Sequence, residues 1–232
     1  MNKSNQKKFR HEMKYVISVG ELEMLKNRLN NMINIDSHAG ENGIYNIRSL
    51  YFDDYYNRGI REIEDGTDPR EKFRIRIYNH SSEHIRLECK RKERGKTFKT
   101  SCPLTVEQTK TLMSGRTIGN IGEQPLLLQK FTYQMLARKL RPVIIVEYDR
   151  IPYIYKNGNV RITLDTNISS STDIGGFFEE NIAKRPVMPS GHQLLEVKYD
   201  EYLPDFIYHN LQLQSLKQTA FSKYYMCRKF KI

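Results

Sequence analysis

Arg74 and Arg76 stand two residues apart in Lys72-Phe-Arg-Ile-Arg-Ile-Tyr78, and Arg86, Glu88 and Lys90 repeat that spacing in Ile85-Arg-Leu-Glu-Cys-Lys90. Successive side chains of a strand point to opposite faces, so Arg74, Arg76 and Tyr78 share one face while Phe73, Ile75 and Ile77 share the other. In the second run Arg86, Glu88 and Lys90 alternate with Ile85, Leu87 and Cys89, and Ser81-Ser82-Glu83 reads as the turn between the two strands. A guanidinium grips phosphate oxygens through paired hydrogen bonds, whereas an ammonium acts as a point charge. The chemistry this spacing offers is the holding of an anion with many negative oxygens. Like charges side by side on a sheet repel, so a neutralising polyanion explains the pattern better than stability does. The alternative is an ordinary antiparallel sheet with one solvated face.

Three further segments carry the same two faces. Arg161, Thr163 and Asp165 alternate with Val160, Ile162 and Leu164. Glu196, Lys198 and Asp200 alternate with Leu195, Val197 and Tyr199, and Glu12 and Lys14 alternate with Met13 and Tyr15. If these strands form one sheet, one face is mixed Arg, Lys and Glu and the other needs covering helices. Closing that sheet makes a barrel with a charged lumen, which is expensive to build without a bound anion and metal.

The elements that must position these residues separate by period. Ser18 to Ile35 puts Leu22, Leu25, Leu29, Met32 and Ile33 on one helical face, with Ser18 as N-cap. Asp36 to Gly43 reads as a loop, Tyr45 to Phe52 as a strand, and Asp65 to Arg70 as a turn. Thr105 and Gln108 form a capping box, and Pro125 opens a helix to about Leu140, ended by Arg141-Pro142. Val143–Tyr155 and Val160–Asp165 flank the turn Lys156-Asn-Gly-Asn159. Residues 167–191 read as a long mobile surface loop and Ser215–Arg228 as a last helix. The class is α+β with a mostly antiparallel sheet.

At 232 residues the chain suits a single domain spanning 1–232, and its net charge of +11 favours a polyanionic partner. Nucleic acid, phosphorylated metabolite, polyphosphate and anionic membrane all satisfy charge alone. Cys89, Cys102 and Cys227 make no C-x-x-C pair, and the six histidines show no metal-ligand spacing. There is no P-loop, no apolar run of the roughly 20 residues a membrane span needs, and a polar start, Met1 to Arg10, unlike a signal peptide. Cytoplasmic residence is the expectation, with room for a peripheral membrane partner. No aromatic pair of the kind that stacks RNA bases is set in a strand, so no nucleic-acid partner is expected.

Seven segments, in order, carry a resemblance: Arg10-His-Glu-Met-Lys-Tyr15, Ser49-Leu-Tyr-Phe-Asp53, Lys72 to Tyr78, Leu87-Glu-Cys-Lys-Arg91, Val160-Arg-Ile-Thr-Leu-Asp165, Leu194-Leu-Glu-Val-Lys198 and Ser222-Lys-Tyr224. From about Lys8 to Lys229 the chain resembles the VTC-type polyphosphate polymerase domain, a branch of the CYTH, or triphosphate tunnel metalloenzyme, superfamily. The resemblance implies an antiparallel barrel forming a tunnel lined by cations, covered by helices. It implies transfer of the γ-phosphoryl group of ATP to a growing inorganic polyphosphate chain, releasing ADP, with Mn²⁺ or Mg²⁺. Carried over by motif, Lys14, Arg74, Arg76, Lys90, Arg161 and Lys198 look like phosphate-binding residues, with Ser222 and Lys223 at one end. Within that set Arg74, Arg76, Lys90, Arg161 and Lys198 look catalytic, Glu196 looks like the metal ligand, and Glu12 and Glu88 are further candidates. The superfamily's opening E-x-E-x-K reads Arg10-x-Glu-x-Lys14 here. That extra cation better suits holding a long polyanion and leans the reading from triphosphatase toward polymerase. A tripolyphosphate or nucleoside-triphosphate hydrolase, or a noncatalytic polyphosphate-binding module, is the alternative.

Overall fold

A computed structural model describes residues 10–40 and 42–229, with only the backbone of Leu213. The polar stretch up to Phe9 lies outside the described residues. In chain order the elements are β1 (His11–Ser18), α1 (Val19–Asn30), β2 (Asn34–Ile35), β3 (Tyr45–Asp53), α2 (Arg58–Glu64), β4 (Arg70–Tyr78), β5 (Ser81–Glu93) and β6 (Lys96–Pro103). There follow α3 (Val106–Met113), α4 (Leu126–Arg138), β7 (Arg141–Tyr155), β8 (Val160–Ser171), β9 (Arg185–Pro186), β10 (His192–Tyr199), α5 (Asp205–Asn210) and α6 (Lys223–Lys229).

All the strands join one antiparallel sheet in the order β1-β10-β8-β7-β3-β4-β5-β6, with β2 on β7 and β9 on β8. The sheet curls into a half-barrel until its two edges meet at a bridge between Arg10 and Thr97. This is the α+β, helix-covered antiparallel barrel with a polar cationic lumen that the alternation implies. The convex face is apolar and carries two clusters. One packs β3, β4 and β5 through Leu50, Ile75 and Leu87 against Leu112 of α3 and Leu128 and Phe131 of α4. The other packs β1, β8 and β10 through Ile17, Ile162 and Val197 against Leu22, Leu25 and Leu29 of α1 and Ile207 of α5. Phe131 has no exposed surface, and truncating such a ring to alanine costs about 3–5 kcal/mol. A third cluster lies on the concave face, where Tyr224 and Cys227 of α6 pack on Ile47, Val146 and Leu194.

Local chemistry sets most boundaries. Ser18 caps α1 in a capping box with Glu21, and Thr105 caps α3 with Gln108. Several expectations need correction. The cationic hairpin turns at Asn79-His80, both at positive φ (48° and 55°), and Ser81 to Glu83 already belong to β5. Two left-handed residues make the turn whose twist matches paired strands. Arg94-Gly95 (49° and 74°) repeats it to launch β6, a strand not read from the sequence. The first helix stops at Asn30, because Asn34–Ile35 pair with β7. Pro125 is the N-cap of α4 and not its first residue. β8 runs on to Ser171, so part of the expected 167–191 loop is strand, and more of it is pinned: Phe177 is fully buried and β9 pairs with β8. The last helix is shorter than expected, because residues 218–219 run extended along β1. No helix among the described residues is long and apolar enough to cross a membrane.

Candidate functional site

The curl leaves a cavity of about 610 Å³ on the concave face. Lys14, Arg70, Lys72, Arg74, Arg76, Lys90, Lys92, Arg150, Lys198 and Lys223 line it, against two lining carboxylates, Glu12 and Glu196.

β4 and β5 build one wall. Alternation turns Arg70, Lys72, Arg74 and Arg76 toward the cavity, and the register sets Arg70 opposite Lys92, Lys72 opposite Lys90, and Arg74 opposite Glu88. Glu88, buried behind the arginines, accepts from Arg74 Nε at 2.8 Å and Lys99 Nζ at 2.9 Å and lies 3.8 Å from Arg76. Burial alone would raise its pKa, but Arg74, Arg76 and Lys99 outweigh that and hold it ionised well below the usual carboxylate range. Hydroxyls aim the guanidiniums: Arg74 donates to Tyr51 Oη at 2.8 Å, and Arg76 to Ser49 Oγ at 3.1 Å and Tyr148 Oη at 3.3 Å.

β1, β10 and the start of α6 build the other wall. Glu196 accepts from Lys198 at 2.6 Å and Lys223 at 3.0 Å, with Arg150 at 3.5 Å and Lys14 at 3.7 Å. Burial opposes its charge, and these cations overcome it, keeping Glu196 ionised far below its ordinary range. Glu12 joins the walls, 3.0 Å from Lys14 and 2.9 Å from Lys90. Asp165 holds Arg150 by two bonds of 2.6 and 2.7 Å and takes Lys223 at 2.6 Å.

Lys72 is placed differently. Among the described residues its ammonium meets Ser222 Oγ at 3.4 Å and the Tyr224 ring at 5.7 Å, and no carboxylate. Burial, reinforced by Lys90, Arg70, Lys14 and Arg74, pushes its pKa down to about 7. Lys90 is pushed down to about 8, again by burial first, with Glu12 opposing.

The structure thus brings Lys14, Arg74, Arg76, Lys90, Lys198, Ser222, Lys223, Glu12 and Glu196 to one cavity. Two candidates stand apart from its lining. Glu88 sits behind Arg74, and Arg161 is exposed, one rung along from the cavity beside Lys198. Arg10, read as an extra cation for the polyanion, is 3.0 Å from Asp200 and also donates to the Asn159 carbonyl; it lies outside the lining. Lys72, Arg70 and Lys92 were not singled out, although the alternation that identified Arg74 and Lys90 extends to them. Arg150, Tyr51 and Tyr148 lie in β3 and β7, whose polar residues fall on both faces, so no alternation marks them in the sequence.

No group of three His, Cys, Asp or Glu is assembled to hold a metal among the described residues. A hard cation bound chiefly by phosphate oxygens and water needs only one or two protein carboxylates. Glu196 and Glu12, which meet at Lys14, fit a divalent ion that arrives with phosphate.

A family comparison matches the VTC domain to residues 9–231. No curated protein matches the chain. Among solved structures, a Bacillus halodurans protein described as a candidate adenylate cyclase aligns with a TM-score of 0.55 at 14% identity, over 97% of this chain and 98% of that one. The PH1819 protein from Pyrococcus horikoshii aligns with a TM-score of 0.50 at 12% identity, over 95% and 98%. At such identities the likeness speaks for the fold alone.

Proposed function

The chain belongs to the VTC-domain family, and from that premise we propose that it is a polyphosphate polymerase, transferring the γ-phosphoryl group of ATP to a growing polyphosphate chain with release of ADP. The observation that carries this reading is the excess of cations over carboxylates in one cavity, with Lys72 half-buried there and meeting no carboxylate among the described residues. Unpaired buried charge is strongly unfavourable, so a cavity of this kind is completed by an anion.

In phosphoryl transfer, charge spreads over the nonbridging oxygens, and positioned cations lower the barrier by stabilising it. Arg74 and Arg76, held by Tyr51, Ser49 and Tyr148, grip phosphate oxygens in a fixed orientation. Lys14, Lys72, Lys90 and Lys198 neutralise the chain from both walls, and Ser222 and Lys223 bound the cavity at the start of α6. Arg161, outside the lining, acts on the approach of the polyanion. Mn²⁺ or Mg²⁺, held by Glu196 and Glu12, would supply further neutralisation of the donor phosphates. No side-chain nucleophile is required, because the acceptor is itself a phosphate.

The test is incubation of purified protein with ATP and Mn²⁺, with polymer read on a stained gel and nucleotide and orthophosphate measured alongside. Polymer with ADP is expected, and Arg74→Ala or Lys90→Ala should lower turnover by about 100-fold or more while circular dichroism stays unchanged. Orthophosphate without polymer would make the protein a hydrolase, and neither product would leave a binding module or an enzyme that needs an activator, which repeating the assay with pyrophosphate or an inositol phosphate distinguishes.

A further inference from the structure

The cationic wall is longer than a triphosphate. Arg70, Lys72, Arg74 and Arg76 occupy alternate positions of β4 and all line the cavity, so their Cα atoms run over about 20 Å in steps of about 6.8 Å. The three phosphorus atoms of a triphosphate span about one such step. A triphosphate held between Arg74 and Arg76 therefore leaves the outer cations without an anion.

The outermost rung is also the least neutralised. Arg70 and Lys92 are direct cross-strand partners of like charge, an unfavourable pairing on a sheet. Among the described residues neither meets a carboxylate: Arg70 donates through Nη1 to the Thr67 carbonyl at 2.8 Å, and its Nε is buried without a partner. The Arg94-Gly95 turn holds the end of β5 and the start of β6 beside them, so that Gly95 and Thr97 complete the cavity's rim. A neutral nucleoside would leave two adjacent cations uncompensated, whereas a continuing phosphate chain supplies one negative charge per unit at this position.

We infer that Arg70 and Lys92 form a separate outer subsite for linear polyphosphate, occupied by units beyond the three that Arg74 and Arg76 engage. The inference rests on the polyanion reading above and adds a length requirement to it. Longer chains gain the outer rung as an intramolecular second contact, which raises affinity without changing the inner site.

The test measures binding of tripolyphosphate and of a polyphosphate of about twelve units, long enough to pass all four rungs. Both are titrated into the wild type, the double variant Arg70→Ser/Lys92→Ser, and a control, Lys110→Ser/Arg116→Ser, that removes the same charge from exposed positions on and after α3. The outer-rung variant should weaken the longer chain by about tenfold more than it weakens tripolyphosphate, the scale of one or two lost charge-assisted contacts. The control should weaken both equally and slightly. Equal losses for both ligands in the outer-rung variant would overturn the subsite and leave the inner cavity standing. Wild-type protein that binds single-stranded DNA of matched charge as tightly as the longer chain would also overturn it. Failure of the wild type to bind tripolyphosphate at all would overturn the proposed function, and the subsite with it.

Discussion

An ammonium half-buried among other cations gives up its proton more readily than a free lysine, and an anion beside it reverses that. Lys72 is in that position at about 7, and Lys90 follows at about 8. A phosphate chain beside them raises both values, so above pH 7 the complex holds more protons than the free protein. Affinity for tripolyphosphate should therefore fall as pH rises through 7 to about 9, with a limiting slope of about tenfold per pH unit for each lysine involved. Calorimetry at pH 8 in two buffers of different ionisation heat should record proton uptake. Lys72→Arg keeps its charge over the whole range and should flatten the fall; a variant as steep as the wild type would remove Lys72 from the linkage. The arginines play a different part. Glu88, Tyr51, Ser49 and Tyr148 leave Arg74 and Arg76 charged and aimed at every pH in this window.

At the scale of the element, the segment after β8 shows how a loop is made part of a scaffold. Arg48 on β3 points to the convex side and has no exposed surface. It donates to Glu147 on β7 at 2.6 Å and to the carbonyls of Gly176 (3.3 Å), Phe177 (3.0 Å), Glu179 and Glu180 (3.2 Å). A tight turn leaves carbonyls that must be paired when buried, and a guanidinium carries enough donors to serve several. Lys184 adds a second cation to Glu147 at 2.6 Å. Arg48→Met should lower the free energy of unfolding by about 3–5 kcal/mol, because it removes one of the two cations on a buried carboxylate and leaves four carbonyls without their donor. Urea denaturation measures this, and a loss below about 1 kcal/mol would mean the turn holds itself.

The whole molecule folds its repulsion inward. A chain of net charge +11 sets ten cations around one cavity and covers the opposite face of the same sheet with apolar helices. Folding and anion binding are therefore linked. Tripolyphosphate at 100 times its dissociation constant should stabilise the protein by about 2.7 kcal/mol, read as a rise in melting temperature. At about 1 M salt, where screening reaches about 3 Å, most of that rise should disappear. No shift at low salt would mean that the cavity takes no phosphate chain.

Period-two alternation in β1, β4, β5 and β10 was enough to assign Lys14, Arg74, Arg76, Lys90, Glu196 and Lys198 to polar faces, because in a strand every second side chain points the same way whatever the partner strand. The capping boxes at Ser18 and Thr105 were legible for the same reason, being contacts between near neighbours. Long-range pairing was not. Only the curl that brings Arg10 to Thr97 decides that Glu12 reaches Lys90, that Arg150 of β7 enters the cavity, and that Arg161 stays outside its lining. Arg10 shows the limit most clearly. Its charge is plain in the sequence, but its partner Asp200 lies just past the end of β10, the strand that pairs with β1 in the finished sheet, and that pairing gives Arg10 a carboxylate of its own. Alternation states which face a residue takes; only the register and curvature of the sheet state which other faces it meets.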